Sequence, residues 1–73
     1  MEDKKYHFRI GQTFTLNGVY RIISHLSDNG RYTIRDREGT FRNELDEKCL
    51  QDQFNNHYYK NLKQPKTNSY EIF

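Results

Sequence analysis

Six arginines lie between Phe8 and Asn43, at positions 9, 21, 31, 35, 37 and 42, against three acids, Asp28, Asp36 and Glu38. Every lysine lies outside this stretch. A guanidinium grips phosphate or carboxylate through two parallel hydrogen bonds and stacks on flat rings, which an ammonium cannot do. The chemistry on offer is anion recognition. Arg21, Arg31, Arg35 and Arg42 fall at the polar positions of alternating segments, with Arg37 beside them at a turn and His25 and Thr33 in the same phase. If those segments are neighbouring strands, the cations share one surface. Such a face suits a nucleic-acid module or a binder of acidic protein. The plain alternative is a solvated face, since outward positions of a small sheet must be polar and arginine stems cover apolar surface. The solvated face stands slightly ahead, and the scarcity of outward acids on the two central strands is what brings binding nearly level with it.

Other chemistries find little support. Ser24 and His25 are adjacent, so on a strand they point to opposite faces and make no nucleophile–base pair. The glycines sit at hairpin turns and form no phosphate loop. Cys49 is the single cysteine, so no intrachain disulfide forms, and it is expected as a small buried apolar residue. Cys49, His7, His25 and His57 lack the paired spacing of a zinc site, so neither metal nor cofactor is expected. The chain is expected to be non-enzymatic.

The elements that must position the arginines follow from turns and periodicity. Asn17-Gly18 specifies a two-residue hairpin loop, Asp28-Asn29-Gly30 a slightly longer one, and Arg37-Glu38-Gly39 a third. Thr13–Leu16, Val19–Leu26, Arg31–Asp36 and Thr40–Leu45 alternate with period two between them. The alternation places Phe14 and Leu16, then Tyr20, Ile22 and Leu26, then Tyr32 and Ile34, then Phe41 and Leu45 inward. It places Arg21, Ile23 and His25 outward on the second segment. On that phase the aromatics are core, not a base-stacking platform, and Ile23 is a lone apolar residue on the polar face. Phe8 and Ile10 suggest a short leading strand.

The period then changes. Asp46 can cap a helix with Glu47 in its first turn, and Leu50, Phe54, Tyr58 and Leu62 recur every four residues. Asn55 and Asn56 weaken that helix, which either stops near Phe54 or breaks and resumes. Tyr58 and Tyr59 cannot both point inward, so this pair marks a candidate protein contact. Residues 1–7 read as a flexible N-terminal tail, 8–63 as one domain, and 64–73 as a C-terminal tail or edge strand carrying Tyr70 and Ile72.

The bulk numbers agree with one small domain. The chain has 73 residues, 33% hydrophobic and 30% charged, with a net charge of +2. Its mean hydropathy is -1.18. That is polar for a globular protein, whose apolar share runs to roughly 45–50%. Aromatics at 15% argue against disorder. No run approaches the ~20 apolar residues of a membrane span. The charged residues before Phe8 contain no signal-type apolar stretch, so a cytoplasmic location is expected. Charge is unevenly spread: residues 44–54 hold four acids against Lys48, and residues 55–73 hold three lysines against Glu71.

The run Phe14-Thr15-Leu16-Asn17-Gly18-Val19-Tyr20-Arg21-Ile22, followed by Gly30-Arg31-Tyr32-Thr33-Ile34-Arg35-Asp36 and Gly39, resembles the meander of SH3-like small barrels. Barrels of this kind occur in Tudor-like and KOW-like modules, transposase C-terminal barrels and short phage proteins. The resemblance implies a mainly β protein: an antiparallel meander curled into a barrel, with one C-terminal helix. It also implies peptide or nucleic-acid binding. The chain lacks the aromatic cage of chromatin readers and the glycine-rich loop of ribosomal KOW segments. Three function classes follow. The first is a nucleic-acid-binding module using Arg21, Arg31, Arg35, Arg37, Arg42 and His25. The second is a phage-type inhibitor or adaptor that docks on a host protein, such as a nuclease or defence complex, through the Arg face, the acidic 44–54 segment or the Tyr58 and Tyr59 region. The third is a homo-oligomer, a homodimer for instance, with a structural role.

Overall fold

Asn17 and Gly18 both adopt positive φ, 54° and 83°, so the first hairpin closes on a type I′ turn. It joins β1 (Thr13–Leu16) to β2 (Val19–Leu26). The next loop is held by the Ser27 N–H donating to Arg31 O and the Gly30 N–H donating to Ser27 O, with Gly30 at φ 86°. It leads to β3 (Arg31–Arg35) and, after the 36–41 loop, to β4 (Arg42–Asp46). A helix, α1 (Glu47–Asn55), and a last strand, β5 (Tyr59–Lys63), follow. The computed structural model describes residues 5–65. Residues 1–4 and 66–73, including the expected Tyr70/Ile72 edge strand, lie outside the described residues.

The strands form one antiparallel sheet of order β4-β3-β2-β1-β5. Among the described residues β4 and β5 are its edges, and the strand pairs do not close into a ring. The mainly β class with one helix is therefore seen, as an open sheet.

The helix starts and stops for local reasons. Asp46 is the N-cap, and its side chain accepts the Cys49 N–H at 2.8 Å. At the other end the His57 N–H donates to Phe54 O and the Tyr58 N–H to Gln53 O, with His57 at φ 67°. That is a Schellman ending with histidine where glycine is usual. It turns the chain after Asn55, so Leu62 lies on β5 and not on a long helical stripe.

One face of the sheet packs under α1. Phe14, Ile23, Tyr32 and Ile34 meet Leu50 and Phe54 of the helix and Tyr59 of β5. The Phe54 ring lies 4.9 to 5.6 Å from the rings of Tyr6, Phe8, Phe14 and Tyr59. Phe8 and Ile10 form no strand. The Gln12 N–H donates to Arg9 O across Gly11 at φ 99°, a turn that sends the preceding chain back over the helix. There Tyr6, assigned by sequence to the tail, exchanges two hydrogen bonds with the Gln51 side chain, at 2.9 and 2.8 Å.

The inward phase of β2 differs from the sequence expectation. Ile23 is wholly buried and pairs with Ile34 in the core. Tyr20 and Ile22 pair with Thr15 and Thr13, on the other face. The two-residue turn is the cause. Counting outward from Asn17-Gly18 pairs Phe14 with Arg21, and opposed residues share a face. With Phe14 inside, Tyr20 and Ile22 fall on the other face, where Ile22 is nonetheless buried. A bulge at Ser24 then absorbs one residue, so His25 still reaches the outer face opposite Thr33.

Phe54→Ala should remove about 3–5 kcal/mol, because it empties the meeting point of four rings; a loss under about 1 kcal/mol in urea denaturation would disprove that role. His57→Gly should raise stability by about 1 kcal/mol by relieving the left-handed backbone, read as a higher urea midpoint.

Candidate functional site

The register lays the outer face out in rows. One row runs across all five strands as Arg42, Arg35, Ile22, Thr13 and Lys63. With strands about 4.8 Å apart it spans about 19 Å. The next row holds Tyr20, Thr15 and Lys60. These two rows carry four cations and no acid. Toward the other end of the sheet lie Glu44, Thr33 and His25, then Asp46 opposite Arg31. Among these paired residues the acids gather at one end of the face, where they mix with Arg31 and His25.

The β5 side of this band comes from a bulge. Asn61 takes φ 61°, and the register shifts between the Thr13–Lys63 and Thr15–Lys60 pairs. Both lysines thereby fall opposite outward threonines. Asn61 Nδ2 also donates to Thr15 Oγ1 at 3.3 Å, which ties the bulge to β1.

Arg35 and Arg42 face each other directly across two strands. Like charges in that position oppose folding. Arg35 reaches over the 36–41 loop, its Nη1 lying 3.9 Å from where a Cβ on Gly39 would stand. The loop is organised by Asp36, whose Oδ2 accepts the Thr40 hydroxyl at 2.7 Å. That bond, with the backbone N–H groups of Phe41, Gly39 and Thr40, holds the Asp36 carboxyl below its ordinary range. Arg37 leaves the loop to lay its guanidinium carbon 4.0 Å from the centre of the Tyr20 ring. Tyr20 is half-buried and stands outside the core cluster.

Arg21, expected on the same surface, is on the opposite one. It pairs with Phe14, sits 3.9 Å from the centre of the Phe41 ring, and donates from Nη1 to Tyr20 O at 3.0 Å. It covers the rim of the aromatic core. Nearby, burial pushes the Tyr59 phenol up and the Arg21 charge offsets this in part. Arg31 is exposed but faces Asp46, whose carboxyl is held low first by the Cys49 N–H and in smaller part by Arg31. The structure thus brings Arg35, Arg37 and Arg42 together. It leaves His25 and Arg31 at the mixed end and removes Arg21.

Tyr59 is buried at 5% exposure and is not available as a contact, whereas Tyr58 is 56% exposed. Ile23, expected as a lone apolar residue on the polar face, is a core residue. Cys49 is exposed, not buried, and Asp46 pushes its thiol up, which keeps it protonated. Among the described residues no three metal-ligating side chains gather, and no helix is long and apolar enough to cross a membrane.

Sequence reasoning missed Lys60, Lys63 and Tyr20. The Tyr20 position was recoverable from the turn count. The lysines depend on β5 returning beside β1, for which the sequence carried no local signal. No family model, curated protein or solved structure matches this chain.

Arg42→Glu places an opposite charge across from Arg35, and stability should rise by ~0.2–1 kcal/mol at low salt; a fall in the urea midpoint would contradict the register. Asp36 and Asp46 hold protons less tightly folded than unfolded, so their contribution is present at neutral pH. It is lost as pH falls below the ordinary carboxylate range and through their lowered folded values. Replacing both by Asn should flatten this acid-side decline in a pH series of thermal melts.

Proposed function

We propose that this chain is a small non-catalytic, cytoplasmic binding module that contacts nucleic-acid phosphates through the Arg42, Arg35, Lys63 and Lys60 band. The observation that carries this is the acid-free row with two arginines set face to face. A phosphate lying over that pair can be gripped by both side chains, since a guanidinium fork takes two oxygens. A row about 19 Å wide admits several phosphates of one strand. Recognition is of backbone charge, without sequence readout. The SH3-like resemblance enters only at the level of a curled meander that presents such a face.

The test is filter binding to duplex and single strands across a salt series. Arg35→Gln/Arg42→Gln should weaken binding at least tenfold. It should also lower the duplex log–log salt slope by roughly 1.8, the loss of two phosphate contacts. Arg31→Gln, which faces Asp46, should change little. Absence of binding by the wild type at low salt would reject the proposal.

The exposed ring of Tyr58 favours a second function, docking on a host protein as an inhibitor or adaptor. A partner captured from extract that survives nuclease treatment, and is lost with Tyr58→Ala, would support it in place of the first.

A further inference from the structure

We infer that the band takes single strands in preference to duplex, and that the Arg37 guanidinium, seated on Tyr20, receives a nucleobase on its free face. This rests on the phosphate-binding function proposed above and names its ligand class.

The two arginine–aromatic stacks of this protein are not equivalent. Arg21 over Phe41 lies at the core rim and is half-buried, with Nη1 committed to a carbonyl. Arg37 over Tyr20 lies on the outer surface, and Arg37 is exposed. A planar cation has two faces, and the Tyr20 ring occupies one of them. The ring holds the guanidinium flat, so a second flat group can stack on the other side without ordering a loose side chain. Arg21 adds support from below, because its bond to Tyr20 O fixes the backbone that carries the ring.

Position matters as much as chemistry. Tyr20 stands two residues along β2 from Ile22, so its row lies about 7 Å from the Arg35–Arg42 row. A strand whose phosphates lie on that row brings its bases toward the neighbouring one. Duplex bases are already stacked on each other and present only phosphate to such a face. Unpaired bases are free to stack on arginine or aromatic planes.

The experiment compares wild type with Arg37→Lys, which keeps the charge and removes the plane. Both are titrated with an oligothymidylate of about 20 nucleotides, long enough for one small module. They are also titrated with an abasic strand of equal length and a duplex of equal length. Wild type should bind the thymidylate strand roughly fivefold or more tighter than the abasic strand. Arg37→Lys should abolish that preference while leaving the salt slope unchanged. If wild type binds both strands equally and Arg35→Gln/Arg42→Gln still weakens both, the stacking inference fails and the phosphate band stands. If Arg37→Lys keeps the preference, the assignment to Arg37 is wrong. If wild type binds none of the three, both proposals fall.

Discussion

The Phe54 ring holds this fold together. A single five-stranded sheet has two faces, and one must be covered for a chain of this size to fold. A nine-residue helix is too short to be stable alone. It exists because Leu50 and Phe54 sink into the sheet while Asp46 and the turn at His57 close its two ends. Tyr6 and Phe8 return from the N-terminal side to the same ring, so the segment before Gly11 is part of the core's roof. The helix, β5 and the first described residues therefore stand or fall as one packing unit.

Everything on the other face follows from how the covered face is registered. Once Phe14 is committed inward, the type I′ turn dictates which β2 residues follow it, with no further freedom. Ile22 and Ile23 are both apolar, so composition does not distinguish the two choices. The turn does. The Ser24 bulge lets β2 satisfy the turn at one end and the alternation of β3 at the other. The charge map is thus a by-product of a hairpin and a bulge. They send Arg21 inward to cover aromatic rings and leave Arg35 and Arg42 opposed on the outside.

That opposition is a local conflict between stability and placement of charge. Across from Arg31 the same strand pair places Asp46 instead. The acids of β4 and the α1 N-terminus keep the remainder of the surface from joining the cationic band.

The four meander strands, the type I′ turn and the Asp46 cap were legible in the sequence because each rests on contacts within a few residues: positive φ at Asn-Gly, period-two alternation, a carboxylate three residues from the N–H it accepts. The mainly β class followed from them. What needed the assembled chain was everything set by distant partners. Asn55 and Asn56 point to a stop near Phe54 as one of two outcomes, but nothing local announces that the chain returns as β5 beside β1. The β2 phase, the bulge at Ser24 and the position of Lys60 and Lys63 are decided by pairing across strands. The arginines could be counted from the sequence, but only the register could say which of them share a surface.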